Sequence, residues 1–139
     1  YKIENKKLIK TLRQKKRTIN KNDRIFTYRR GERYYNIKSS DVNKYLKQFG
    51  KFTAKDFRTW GANIELIKEL MKNKNSELKK CIENVSIKLH NTPTICKSNY
   101  LDPELMEFYK NDKEGFRGHF NFKTENSLYN QYIHFLEDL

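Results

Sequence analysis

Acidic residues are scarce in this 139-residue sequence. There are 17 Asp and Glu against 30 Lys and Arg, a formal net charge of +13. A chain so short of one sign attracts polyanions, and nucleic acid is the expected partner class. Lys and Asn are both abundant, as in proteins from AT-rich genomes, so composition alone leaves a merely solvated basic surface open. The only cysteines are Cys81 and Cys96, with no CxxC spacing. That excludes a disulfide framework and suits a reducing, intracellular compartment. No apolar run approaches the length of a membrane helix, and no signal peptide opens the chain. With five Gly and two Pro there is no low-complexity linker, and no internal repeat is present. The length fits one domain or a piece of one. The first residue is Tyr rather than Met, so the chain reads as continuing upstream. Apolar residues make up 36% of the chain and the mean hydropathy is -1.01, but aromatics reach 14%. A thin, aromatic-rich core under a charged surface follows.

The patterning is mainly helical with a small β element near the start. Tyr1 to Glu4 suits the end of a strand. Asn5 caps a helix carrying Leu8, Ile9 and Leu12. The basic stretch Gln14 to Arg17 is either a phosphate contact or a solvated helix end. Ile25–Tyr28 and Arg33–Ile37 read as two short strands around a turn at Gly31. Ser39 or Ser40 caps a helix with Val42, Tyr45, Leu46 and Phe49 on one face, ended by Gly50. Thr53 opens a long amphipathic helix, with Asp56 as the capping-box acid and Phe57, Trp60, Ile64, Ile67 and Met71 inward. Leu78, Ile82, Val85 and Leu89 mark another helix. Asn91 caps a short helix from Thr92, with Pro93 in its first turn. Asp102-Pro103 opens a helix with Leu105, Met106 and Tyr109. Residues 112–123 read as a Gly-containing loop. Thr124 caps a last helix with Leu128, Tyr132, Phe135 and Leu139 inward.

Two segments carry chemistry. Lys55 and Arg58 sit at i and i+3 on one helix face, where two cations repel unless an anion lies between them. A guanidinium can hold two phosphoryl oxygens at once. Taken alone, this is more often a solvated charged face. Tyr100 ends a short helix whose N-terminus favours anions, with Lys97 one turn before it. Taken alone, such a Tyr is more often a core residue. His90, His119 and His134 lack metal-ligand spacing with each other or with the cysteines, and Cys96 has no marked partner base.

Together the segments narrow the choice. Thr53-Ala54-Lys55-Asp56-Phe57-Arg58-Thr59-Trp60-Gly61, then Asn91-Thr92-Pro93, then Lys97-Ser98-Asn99-Tyr100-Leu101-Asp102-Pro103 closely resembles the type IB DNA topoisomerases, in their small viral and bacterial, poxvirus-like form. A weaker likeness runs through Ile25–Tyr28 and Ser40–Leu46. The resemblance covers residues 1–110. The tail at 111–139, a loop and a helix, carries no motif.

The resemblance implies the catalytic-domain fold that these enzymes share with tyrosine recombinases. It makes the chain the C-terminal part of that domain, with the N-terminal domain absent. It implies relaxation of supercoiled DNA through a DNA-3′-phosphotyrosyl intermediate, by a monomer acting on double-stranded DNA without metal, cofactor, ATP or membrane. Tyr100 is then the nucleophile, Arg58 the clamp on the non-bridging oxygens, Asn91 a neutral donor where many relatives carry His, and Lys55 an aid to proton relay. Lys97 and Asn63 are assigned to the DNA-binding set, Asn63 as a support of the site. A further Arg and a hairpin Lys of the family would lie before Tyr1 and are not assigned. His90 replaces the Gly common before the Asn or His. The implied setting is the virion or factory of a large DNA virus, or otherwise a bacterial cytoplasm. The competing readings are a tyrosine recombinase, which usually shows His-x-x-Arg where this chain has Lys55-Asp56-Phe57-Arg58, and a non-catalytic DNA-binding module.

Overall fold

Short polar side chains start most helices of this protein. The structure, a computed structural model, describes residues 3–19 and 24–139. Among these, the elements run α1 (Lys6–Arg17), β1 (Thr27–Arg30), β2 (Arg33–Asn36), α2 (Ser39–Leu46), α3 (Ala54–Met71), α4 (Leu78–Leu89), α5 (Pro93–Tyr100), α6 (Pro103–Asn111), α7 (Lys113–His119) and α8 (Glu125–Glu137). The architecture is mainly α with one small β element, as the patterning predicts. The expected strand end at Tyr1–Glu4 falls partly outside the described residues, and Ile3 and Glu4 have no regular structure.

The chain divides into two units, Tyr1–Phe52 and Thr53–Leu139. In the first, Asn5 Oδ1 accepts from the Leu8 amide at 2.9 Å and starts α1 as expected. β1 and β2 form an antiparallel ribbon with Tyr28 opposite Tyr35 and Arg30 opposite Arg33. β1 starts two residues later than the sequence suggests and runs two residues further, to Arg30, because the turn is only Gly31-Glu32, with Gly31 at φ 61. Neither Ser39 nor Ser40 caps α2. The carboxylate of Asp41 instead reaches back to the Lys38 amide at 2.8 Å. α2 also stops at Leu46, short of Phe49 and Gly50. Leu8, Val42 and Tyr45, members of the expected apolar faces, are exposed.

The second unit holds the core. Ile64, Leu66, Ile67 and Leu70 of α3, Cys81, Ile82 and Val85 of α4, Leu105, Met106 and Tyr109 of α6, and Leu128, Tyr132 and Phe135 of α8 are all buried. Each large apolar side chain fully removed from water contributes about 1.5–3 kcal/mol. α3 is central, packing on α4, α5 and α8. Its buried face is wider than the stripe expected, and Phe57 is exposed. Rings fill the far side: Phe108 stacks on Phe135 at 5.9 Å, and Tyr109 meets Phe116 edge-on at 5.1 Å.

The expected loop at 112–123 is a correction. Asp112 Oδ1 accepts from the Gly115 amide at 2.7 Å and starts α7, and Phe116 and Phe120, one turn apart, are fully buried. Burial of two rings outweighs the low helix propensity of Gly115 and Gly118. Leu139, expected inward, is exposed. Both cysteines are free and buried. No described helix is long and apolar enough to cross a membrane.

Candidate active site

The site is built from the start of α3, the α4–α5 connection and the end of α5. Thr53 donates its backbone N–H and its hydroxyl to Asp56 Oδ2, at 2.8 and 2.9 Å, and so fixes where α3 begins. The same two hydrogen bonds hold the Asp56 carboxyl below its ordinary range. Lys55 and Arg58 follow on this first turn, both exposed.

α4 ends in a Schellman turn. The His90 amide donates to the Ile87 carbonyl at 3.1 Å, and the Asn91 amide to the Ser86 carbonyl at 2.9 Å. His90 takes the left-handed conformation this turn requires, φ 53 and ψ 46. That is the physical reason a Gly suits this place. The turn reverses the chain into α5.

Asn91 is not the cap of α5, as the sequence suggested. Thr92 is, its Oγ1 accepting from the Ile95 amide at 3.3 Å, with Pro93 at the first position. Asn91 is left half-buried, and its Nδ2 is shut from solvent with no hydrogen-bond partner among the described residues. A buried donor left unmade costs about 1–3 kcal/mol.

The structure brings two of the expected residues, Arg58 and Tyr100, into contact. The Arg58 guanidinium lies over the Tyr100 ring, 5.1 Å from its centroid. Its Nη2 donates to the Leu89 carbonyl at 2.5 Å, two residues before Asn91. Tyr100 is half-buried, and Lys97 is exposed one turn earlier on α5. Both line a groove along α5 whose floor is apolar, including Trp60, Ile82, Met106 and Tyr132.

Asn63 departs from its assignment. It is 1% exposed, which takes it away from any DNA surface. Its Nδ2 donates to the Thr59 and Tyr100 carbonyls, both at 3.0 Å, and its Oδ1 accepts from the Asp102 amide at 2.8 Å. It is a bracket that ties the end of α5 to α3.

Reasoning from sequence missed a second brace. Tyr132 of α8 donates its hydroxyl to Asp102 Oδ2 at 3.4 Å, while Asp102 Oδ1 caps α6 at the Glu104 amide. Burial, then the Asp102 charge, pushes the Tyr132 phenol well above its ordinary range. The Trp60 ring packs on Tyr132 at 5.0 Å. The segment after the candidate nucleophile is thus held from both α3 and α8. The amphipathic spacing of α8 marked Tyr132 as inward, but nothing local marked its partner. No group of metal-ligating side chains occurs among the described residues.

Comparison with known proteins identifies the family. The family model described as the catalytic core of eukaryotic DNA topoisomerase I matches residues 1–124, beyond residue 110, where the motifs end. The DNA topoisomerase 1B of Acanthamoeba polyphaga mimivirus is 32% identical, with 71% of this chain and 35% of that protein covered. The chain therefore spans well under half the length of this curated relative. No solved structure matches. A match over most of its length places the chain in a family: it belongs to the type IB DNA topoisomerases, in their catalytic core.

Proposed function

We propose that this chain supplies the nucleophile and two phosphate donors of an enzyme that relaxes supercoiled DNA by breaking and rejoining one strand. The Tyr100 oxygen attacks a backbone phosphorus, the phenolic proton leaves, and the bond to the 5′-oxygen breaks. That oxygen departs as a hydroxyl on taking up a proton. The 3′-phosphate stays esterified to Tyr100. One phosphodiester replaces another, so the reverse attack by the 5′-hydroxyl reseals the strand without ATP.

Arg58 and Asn91 meet the charge that builds on the non-bridging oxygens. Fixed donors aimed at such charge are usually the largest catalytic contribution. Lys55, on the same turn as Arg58, assists proton movement, and Lys97 contacts the DNA backbone.

The observation that carries this reading is Arg58. Its guanidinium covers the Tyr100 ring and is hydrogen-bonded to the very connection that presents Asn91. Exchanging the Leu89 carbonyl for a phosphoryl oxygen would put the Arg58 guanidinium, already beside Tyr100, on the phosphate that Tyr100 attacks. The test is to denature the full-length protein during incubation with supercoiled plasmid. Relaxed plasmid without denaturant, and nicked plasmid joined to protein through its 3′ end with it, support the reading. A 5′ linkage, or relaxation without any covalent species, rules it out.

A further inference from the structure

The positive charge of this chain is segregated. Residues 1–52 hold 17 of the 30 Lys and Arg but only four of the 17 acids, while residues 53–139 hold 13 of each sign. The whole excess of +13 lies in the N-terminal unit, and the unit that carries Tyr100 is formally neutral. A compositional bias toward Lys would have raised both parts alike.

Within the N-terminal unit, cations are set beside cations. α1 has seven basic residues and no acid. Lys6, Lys10, Arg13 and Arg17 recur at steps of four, three and four, which puts them on one face, and they border one shallow groove with Ile9 and Gln14. All four are exposed. The row is about 16 Å long at 1.5 Å per residue. Like charges at these spacings destabilise a helix by a few tenths of a kcal/mol per pair, and no acid on α1 offsets them.

The ribbon repeats the arrangement. Arg30 lies directly opposite Arg33, a pairing that costs stability on a ladder. On the same face, two residues along each strand, Tyr28 stacks on Tyr35 with centroids 5.6 Å apart, which stiffens the strands behind the paired arginines. Both ribbon strands are exposed from Tyr28 onward. A row of phosphates relieves the repulsion at both places.

We propose that the N-terminal unit is the main grip on duplex DNA, with Lys6, Lys10, Arg13, Arg17, Arg30 and Arg33 on its sugar–phosphate backbone, and that residues 53–139, apart from contacts such as Lys97 beside the cleaved phosphate, contribute chemistry rather than affinity. This rests on the DNA reading above. It differs from a general basic coat in assigning the counterions released on binding to particular side chains.

The test is the salt dependence of duplex binding by the full chain. Each neutralised phosphate contributes about -0.9 to the slope of log K against log salt. Changing Lys6, Lys10, Arg13 and Arg17 together to Gln, a residue of similar helix propensity, is expected to flatten the slope by about 3.6. Arg30→Gln with Arg33→Gln is expected to flatten it by about 1.8. The same number of exposed cations removed from the other unit, Lys74, Lys79, Lys110 and Lys123 to Gln, is expected to leave it unchanged. Covalent capture at saturating DNA should keep its rate in all three. Circular dichroism checks that α1 persists. A charge-conserving set, Lys6→Arg, Lys10→Arg, Arg13→Lys and Arg17→Lys, should retain the parent slope. Equal flattening by the α1 and control sets, or a lost slope in the charge-conserving set, overturns the proposal. A parent with no salt-dependent affinity for duplex DNA would instead overturn the DNA reading beneath it.

Discussion

Asn63 donates its side-chain amide to the backbone carbonyl of Tyr100 at 3.0 Å, across 37 residues of sequence. The same side chain accepts from the Asp102 amide at 2.8 Å. One buried residue of α3 therefore fixes the two peptide groups that flank Leu101, and with them the place where the Tyr100 phenol emerges. Asn63→Asp keeps the acceptor for Asp102 but sets carboxylate oxygens against the Thr59 and Tyr100 carbonyls. It should lower stability by about 2 kcal/mol or more and slow covalent capture. Asn63→Ala should be milder in stability, about 1–3 kcal/mol, yet also slow. Thermal melts beside single-turnover capture check both. A variant that melts early but captures DNA at the parent rate would reduce Asn63 to a core residue.

The neighbours Asn91 and Thr92 have separable jobs. Thr92 caps α5, so Thr92→Ala should cost about 1 kcal/mol with a modest change in cleavage. Asn91→Ala removes a buried donor that has no partner among the described residues. It should cost little stability, but it should slow cleavage by about a hundredfold or more, as loss of one transition-state donor does. The reverse pattern in denaturant titration and single-turnover kinetics would restore Asn91 as a mere cap.

His90 holds a left-handed conformation at φ 53, which is costly for a side chain with a Cβ and free for Gly. The order of melting temperatures should be His90→Gly above the parent and the parent above His90→Val, with steps of about 0.5–1 kcal/mol or more. A Val variant as stable as the parent would show that the turn does not need this conformation.

The helices were legible in the sequence where the signal was local. Asn5, Thr53, Asp102 and Thr124 each stood at a helix start with an oxygen able to reach a free amide, and each accepts one hydrogen bond there or takes part in a capping box. At 91–92 two competent residues were adjacent, and pattern alone chose the wrong one. α7 was missed because Gly115 and Gly118 signal a loop, whereas burial of Phe116 and Phe120 is decided by distant partners. The motif residues Arg58, Asn91 and Tyr100 were named from resemblance; the fold sets the Arg58 guanidinium over the Tyr100 ring and ties it to Leu89, two residues before Asn91. The bracket from Asn63 and the brace from Tyr132 were invisible, since each joins residues 30 or more apart.

Acid should weaken the second unit through Glu69. Burial alone would raise this carboxyl, but hydrogen bonds from Lys72, Lys88 and Asn84 outweigh it and hold it at about 2. A carboxyl depressed in the folded state stabilises the fold above its unfolded value near 4.5, and that contribution is lost as pH falls from there toward 2. The loss should be on the order of 2 kcal/mol. Urea titrations at pH 7, 4.5 and 3 should show it, and Glu69→Gln should flatten the trend while lowering stability at pH 7. An unchanged pH profile in that variant would place the acid sensitivity elsewhere.

The central claim is that Tyr100 forms the bond to DNA while Arg58 stabilises the phosphate it attacks. The most direct measurement is single-turnover covalent capture of a labelled duplex by the full-length protein, by Tyr100→Phe and by Arg58→Lys, beside their DNA affinities. The account predicts that Tyr100→Phe yields no adduct, that Arg58→Lys slows capture by about a hundred- to a thousandfold, and that both bind DNA nearly as the parent does. Adducts that persist in Tyr100→Phe, or capture by Arg58→Lys within a few-fold of the parent, would contradict it.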